Sequence, residues 1–415
     1  MSEERAMLIT TRTVGENERS VFLREAEIRS LVNTLGLSIV CHQSFTIKEE
    51  NNVTYLGRGQ AESAAEYSRA FDIDEVIIDV FLSPRQEMKL EEIFGLPISD
   101  REAVIQAIFF HNAHSREARL QIEKAQAQYL KPRLIFREAN FSQQRGGVRG
   151  AKGEGEKALE LQRRTIEMRI KALEKEIAEV KKTRATQRVQ RERTGIFTFA
   201  LTGYTNAGKS TILNRLTNAG ILAEDKLFAT LDTTTRSLEL PNSQKVLLSD
   251  TVGFIQNLPS LLVEASSSTL EEALNADAVI IVADASHPDA KTCFDTTRDT
   301  LEALDALDRV KLLVINKIDA IYDDISYQYL KSQPYRIVET SMKDEKGIED
   351  LLAAMAEITD EAYEDVTLLI PYGSPLLNEL SLKDAVKDVV YEEHTIKVFA
   401  RIPSTARSRY ENWIL

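Results

Sequence analysis

The stretch that most constrains this chain is Gly203-Tyr204-Thr205-Asn206-Ala207-Gly208-Lys209-Ser210. It follows an apolar run, Ile196-Phe197-Thr198-Phe199-Ala200-Leu201, and precedes Ile212, Leu213 and Leu216 at helical spacing. A G-x-x-x-x-G-K-[ST] match in the order strand, loop, helix is a phosphate cradle. Bare glycines let backbone N–H groups close around phosphate oxygens, and the helix N-terminus adds partial positive charge. Lys209 can then reach the β- and γ-phosphates, while the Ser210 hydroxyl can ligate Mg²⁺. The bland alternative is a glycine-rich turn that happens to carry Lys and Ser, and the flanking strand and helix argue against it.

At 415 residues the chain is long for one domain, and roughly two to four are expected. The longest apolar runs, such as Ala278 to Ala283, are far too short to span a bilayer. Met1-Ser2-Glu3-Glu4-Arg5 has no apolar signal core behind it. Cys41 and Cys293 lie far apart and form no CxxC pair, so neither zinc nor a disulfide framework is supported. A cytoplasmic protein without a transmembrane segment is the expectation. The net charge of −13 argues against a surface that binds nucleic acid all over. Yet between Lys181 and Arg193 stand six basic residues (Lys181, Lys182, Arg184, Arg188, Arg191, Arg193) against one acid, Glu192. Such a stripe can touch a phosphate backbone locally.

Four regions follow from the patterning. Residues 1–112 alternate strand-like runs (Met7-Leu8-Ile9, Ser38 to Cys41, Asp74 to Val80) with helical spacing (Ile28, Leu31, Val32, Leu35; Met88, Leu90, Phe94). That is an α/β N-terminal domain with a parallel sheet. Within it, Tyr55-Leu56-Gly57-Arg58-Gly59 reads as a tight strand-to-helix turn, with phosphate binding as the sharper alternative. Residues 113–194 read as a helical hairpin arm. Ala118, Ile122, Ala125 and Tyr129 form one apolar seam; Leu159, Ile166, Ile170, Leu173, Ile177 and Val180 form a heptad-like second. Lys131-Pro132 is expected to end the first helix, and Gln143 to Gly155 to form a glycine-rich basic loop. A plain coiled-coil spacer is favoured over an arm whose tip probes RNA. Residues 195–360 form the nucleotide domain, a doubly wound, mostly parallel sheet, and 361–415 a small α+β C-terminal domain.

Four downstream signals select the nucleotide. Asp250-Thr251-Val252-Gly253 ends an apolar strand and places a carboxylate near Mg²⁺ and an N–H near the γ-phosphate. Asn316-Lys317-Ile318-Asp319 follows another strand; an Asp carboxylate accepts two hydrogen bonds from guanine, a donor pair adenine lacks. Thr340-Ser341-Met342-Lys343 follows the next strand, where N–H groups can reach guanine O6. Phe228-Ala229-Thr230-Leu231-Asp232-Thr233-Thr234-Thr235-Arg236 offers a threonine that can join the Mg²⁺ shell and leave it after hydrolysis. Each match is weak alone. In this order, each after a strand, they point to GTP rather than ATP.

These motifs, with Phe254-Ile255 and Leu258-Pro259, resemble the HflX family of translation-associated GTPases. Tyr55 to Gly59, Leu82-Ser83-Pro84-Arg85-Gln86, Leu120 to Leu134 and Gln187-Arg188 resemble its N-terminal and arm motifs, so the resemblance covers most of the chain. It implies a P-loop GTPase that binds the large ribosomal subunit and its RNA, splits or rescues stalled ribosomes, and turns GTP into GDP. Mapped by motif, Ser210 and Thr230 would hold Mg²⁺, and Phe228 to Asp232 would be the first switch. Asp250 to Gly253 would be the second, Asn316, Lys317, Ile318 and Asp319 the guanine reader, and Ser341, Met342 and Lys343 its closing loop. Lys209, Ser210, Thr230 and Gly253 would serve hydrolysis. Thr235 remains a rival to Thr230. Two departures stand out: Ala151-Lys152-Gly153-Glu154-Gly155-Glu156 lacks the family's G-P-G-E proline, and Ser266-Ser267-Ser268-Thr269 stands where an aromatic and a basic residue are usual.

Phe254 occupies the position where many small GTPases carry a water-orienting glutamine, so slow, partner-stimulated hydrolysis by a monomer is expected. The alternative is a GTP-gated RNA- or ribosome-binding scaffold with incidental hydrolysis.

Overall fold

The computed structural model describes residues 4–144, 152–194, 196–217, 227–228, 231, 234–256, 259, 261–262, 275–382 and 385–415. It divides into two compact units: residues 1–178 with 224–232 and 256–269, and residues 179–223 with 233–255 and 270–415.

The first unit begins with β1 (Arg5–Thr13), α1 (Glu18–Thr34), β2 (Ser38–Ile47), α2 (Arg58–Ser68), β3 (Glu75–Ile78), α3 (Pro84–Phe94), β4 (Ile98–Asp100) and α4 (Arg101–Asn112). Its four strands are parallel in the order β2-β1-β3-β4. Met7, Ile9, Val76 and Ile78 pack on one face against Ala61 and Ala64 of α2 and Leu90 and Phe94 of α3. The alternate residues Leu8 and Ile77 are equally buried, as expected of parallel strands covered on both sides. Helix α3 starts where sequence says it should. Ser83 caps it, Pro84 supplies a preset φ, and Gly95 ends it at φ 69°.

Two expectations for the arm are corrected. Helix α5 (Arg116–Gln144) runs through Pro132 instead of ending there. The interruption is offset by anchors either side of it. Arg133 lies over the Tyr129 ring and pairs with Glu87 (2.5 Å) and Asp100 (3.1 Å), and the Tyr129 hydroxyl donates to Asp100 (2.9 Å). The loop expected over 143–155 is also shorter. Helix α6 (Lys152–Thr194) takes in Gly153 and Gly155; 145–151 lies outside the described residues. The seam residues Ala118, Ile122, Ala125, Tyr129 and Leu173 are buried. Arg169 pairs with Glu123, Arg116 with Glu176 and Lys131 with Glu167, a pattern in which α6 numbers fall as α5 numbers rise. The two helices are therefore antiparallel.

The second unit contains β5 (Phe197–Gly203), α7 (Lys209–Thr217), β6 (Thr234–Glu239), β7 (Lys245–Asp250), β8 (Ala278–Asp284), α8 (Ala290–Ala303), β9 (Val310–Asn316), α9 (Asp324–Lys331), β10 (Arg336–Glu339) and α10 (Ile348–Ala362). The sheet order is β10-β9-β8-β5-β7-β6, parallel except for the β6–β7 hairpin. Phe199, Leu201, Val246, Val282 and Val314 pack against Ile212 of α7 and Leu351 and Met355 of α10. Ile281, Leu313 and Ile315 pack against Phe294 and Leu301 of α8. With both faces filled, the free space for a ligand lies at the carboxyl ends of the strands. The chain closes with an antiparallel sheet, β11 (Tyr363–Pro371), β12 (Val386–Tyr391) and β13 (Thr395–Pro403), in the order β11-β13-β12. Between its strands lies α11 (Leu376–Leu382), and α12 (Arg407–Tyr410) buries Tyr410 in its core. No described helix is long and apolar enough to cross a membrane.

Candidate nucleotide site

The site is assembled on the carboxyl ends of β5, β7, β8 and β9. Gly203 ends β5 at φ 153°, and a Cβ there would stand 2.3 Å from the Val282 carbonyl oxygen, so only glycine fits. Asn206 (φ 62°) and Gly208 (φ 95°) turn the loop, and a Cβ on Gly208 would stand 2.3 Å from Asn316 Nδ2. Alternating backbone twists of this kind aim successive N–H groups into one concavity. Tyr204 and Ala207 are buried beneath it.

Lys209, the first residue of α7, is 6% exposed. Its Nζ donates to the carbonyls of Gly203 (3.1 Å) and Tyr204 (2.8 Å). Burial pushes its pKa down to about 8, partly opposed by the Asp250 charge. A cation bonded to neutral carbonyls in a desolvated pocket is poised to gain from an anion. Beside it Ser210 Oγ donates to Asp250 Oδ2 at 2.6 Å. Hydroxyl and carboxylate oxygens are the donor set a hard divalent cation requires, so these residues fit Mg²⁺. Thr205 is buried, and its Oγ1 finds no hydrogen-bond partner among the described residues.

The Asp250 to Gly253 segment is locked onto the loop. Phe254 N–H donates to Gly203 O (3.0 Å) and Thr205 N–H to Phe254 O (2.8 Å), while a Cβ on Gly253 would stand 2.7 Å from Thr205 Cα. Thr251 Oγ1 donates to Leu201 O (2.8 Å) and Val252 is buried, so both side chains serve the fold. The Phe254 ring lies in the apolar cluster of Val279, Ile281 and Phe294.

The Asn316-Lys317-Ile318-Asp319 motif is tied to the same loop. Asn316 Nδ2 donates to Ala207 O (3.0 Å), and Thr340 Oγ1 to Asn316 Oδ1 (3.1 Å). Lys317, at φ 59°, donates to Asn206 O (2.9 Å) and pairs with Asp284 (2.7 Å). Ile318 N–H donates to Thr340 O (3.2 Å). Ser341 Oγ donates to Asp319 Oδ1 (2.7 Å), which holds that carboxyl below the usual range, and Lys343 Nζ stands 4.0 Å away. Met342 is buried beneath.

Of the first-switch residues, Phe228 and Leu231 are buried and belong to the first unit; Ala229, Thr230 and Asp232 lie outside the described residues. Thr235 sits in β6 opposite Ser249, with the two hydroxyls 2.8 Å apart. Gly57, in the other glycine-containing turn, leads into α2, and its N–H is capped by Gln60 Oε1 (3.0 Å).

Family models match three successive stretches: GTP-binding GTPase N-terminal over residues 24–110, GTP-binding GTPase middle region over 112–191, and 50S ribosome-binding GTPase over 198–317. The chain is 40% identical over 393 residues to a GTPase HflX of Chlamydia pneumoniae, covering 94% of this chain and 83% of that one. To a GTPase HflX of Akkermansia muciniphila it is 37% identical over 427 residues, covering 99% and 97%. The chain belongs to the HflX family of GTPases. A crystal structure described as SsGBP in complex with GDP shares the fold, with a TM-score of 0.50 and 23% identity over 86% of this chain and 99% of that one.

In this HflX-family chain one site residue escaped the sequence reading. Asp284 anchors Lys317, and the available signal was a carboxylate at the end of the apolar run Ala278 to Ala283.

Proposed function

We propose that this GTPase binds GTP with Mg²⁺, hydrolyses it to GDP, and spends the cycle on the large ribosomal subunit, splitting or rescuing stalled ribosomes in the cytoplasm. The carrying observation is the Asn316 Nδ2 bond to Ala207 O, which ties the base-reading motif to the phosphate loop in one rigid cradle. Asp319, kept ionised by Ser341, supplies the acceptor pair that selects guanine. Ser210 and Thr230 would hold Mg²⁺ with Asp250 beside them, and the ion would neutralise charge on the β- and γ-phosphates. Lys209 would exchange two carbonyls for phosphate oxygens and stabilise charge as water attacks the γ-phosphate. Gly253 would offer its N–H to that phosphate.

The buried Phe254 ring offers no hydrogen bond to the attacking water, which supports slow intrinsic turnover accelerated by a partner. It equally favours the second reading, a GTP-gated ribosome binder with incidental hydrolysis. The family model over 198–317 is described as a 50S ribosome-binding GTPase, which supports ribosomal RNA as the partner of the basic stripe on α6. GTP turnover measured with and without isolated large subunits tests the proposal. A severalfold or greater stimulation is expected, and equal rates would overturn partner-driven hydrolysis. Charge-driven binding should also fall steeply with salt and on neutralising Arg188 and Arg191.

A further inference from the structure

A buried hydroxyl without a hydrogen-bond partner is uncommon in a folded protein, and where it stands tells what could satisfy it. The second unit has two such threonines among the described residues, Thr202 and Thr205. Thr202 is 0% exposed inside β5, in register with Ile281 of β8, so it belongs to the interior of the sheet. Thr205 is placed differently. It lies in the phosphate loop, just beyond the end of β5, and is 6% exposed.

The side of the loop on which Thr205 stands is fixed by its neighbours. Its N–H donates to the Phe254 main-chain oxygen at 2.8 Å. A Cβ on Gly253 would stand 2.7 Å from the Thr205 Cα and 2.9 Å from both its N and its Cγ2. The threonine side chain therefore packs against Gly253, the residue whose N–H is read above as a γ-phosphate contact. Backbone N–H groups farther along the loop, toward the start of α7, are the ones that suit the α- and β-phosphates. The residues around Gly253 bring no side-chain donor of their own to the third phosphate. Thr251 Oγ1 is committed to Leu201 O (2.8 Å), and Val252 and Phe254 are apolar and buried.

We propose that Thr205 is a specificity residue for the third phosphate: its hydroxyl donates to a γ-phosphate oxygen, so that the loop favours GTP over GDP. The inference deepens the GTPase reading above and rests on residues 203–210 as the phosphate loop. With no internal partner to give up, the hydroxyl gains a charge-assisted bond to an oxyanion without breaking another. A diphosphate leaves it as it was. The cost of burying the hydroxyl is carried by the nucleotide-free and GDP-bound forms alike and is offset only while the γ-phosphate is present. The loop thereby senses hydrolysis directly, with no side chain from the Asp250 to Phe254 segment.

The experiment compares the full wild-type chain with Thr205→Val, Thr205→Ser and Thr202→Val. Each is titrated at equilibrium with GDP and with a non-hydrolysable GTP analogue, both with Mg²⁺. Thr205→Val keeps the β-branched shape and removes only the hydroxyl. It is expected to weaken the triphosphate analogue by about ten- to a hundredfold and GDP by less than about twofold. Thr205→Ser should restore most of the discrimination, and Thr202→Val should leave both affinities unchanged. In turnover the loss should fall on KM with kcat changed less, since the contact is made before as well as during the reaction. Without nucleotide, Thr205→Val should melt no lower than wild type, because a methyl replaces an unpaired hydroxyl. Equal weakening of both nucleotides, or a lower melting temperature with unchanged discrimination, would make Thr205 a structural residue of the loop and overturn the proposal. Wild type that binds guanine nucleotides alongside a Thr205→Val that matches it fails this proposal alone. Wild type that binds neither nucleotide overturns it together with the GTPase reading.

Discussion

Two parallel sheets in this chain share an architecture and end their strands in opposite ways. In the N-terminal sheet the strand order reverses between β1 and β3, the place where doubly wound sheets bind ligands. Charges there are paired with opposite charges: Arg24 pairs with Glu16 and stands 3.8 Å from Asp79, and Asp79 pairs with Arg101, although Asp79 Oδ2 has no hydrogen-bond partner among the described residues. In the second sheet the corresponding reversal lies between β5 and β8, and the cation there, Lys209, is bonded to neutral carbonyls. A paired crevice has little to gain from a phosphate, while a desolvated lysine among glycines has much. The fold alone does not make the site. What separates the two sheets is whether the buried charge is matched internally or left for a ligand to match.

The sharpest way to break this comparison is Lys209→Ala. It should reduce GTP affinity by about a hundredfold or more, as loss of a buried charge-assisted contact does, whereas Arg58→Ala in the N-terminal turn should leave it unchanged. Equilibrium titration of both variants decides, and equal losses would erase the distinction. Asp319→Asn should weaken GTP by about a hundredfold and improve binding of xanthine nucleotides, since an amide reverses one acceptor into a donor. Retained guanine selectivity in a competition assay would remove Asp319 from the base site.

Glycines sharpen the contrast next. Gly203→Ala would drive a Cβ to 2.3 Å from a backbone carbonyl and should cost about 3 kcal/mol of stability in a melting experiment. Gly59→Ala meets nothing within 4 Å inside α2 and should stabilise by about 0.5–1 kcal/mol. The smallest effect is a proton. Burial depresses Lys209 to about 8 from 10.5, so between those values the folded, nucleotide-free protein holds fewer protons than the unfolded chain. Stability therefore rises with pH across that window, and the full cost of burying the charge is present below it. A phosphate beside Nζ restores the charged form, so nucleotide binding at about pH 9 should take up protons. Calorimetry in buffers of different ionisation enthalpy reads this directly.

The nucleotide loop and both parallel sheets were legible in the sequence because their signals are local. Glycines sit where no Cβ fits, apolar runs of strand length recur, and each motif follows a strand. Pro132 misled for the opposite reason. Its cost is local, but the anchors that outweigh it, Glu87 and Asp100, stand 46 and 33 residues from Arg133. Gly153 and Gly155 were read by composition, which is silent about position within a helix. Asp284 went unnoticed because its importance is a partner, Lys317, 33 residues away.

By itself the sequence pointed to a P-loop GTPase with a candidate guanine reader, since those residue types at those spacings have one shared chemistry. Only the tertiary structure decided how the parts are joined. It hydrogen-bonds Asn316 to the phosphate loop, sets Lys209 in a desolvated pocket without a full counter-charge, and seats Phe228 on α4. Each is a meeting of residues far apart in the chain. Spacing along a chain carries no information about such a meeting until folding fixes which faces come together.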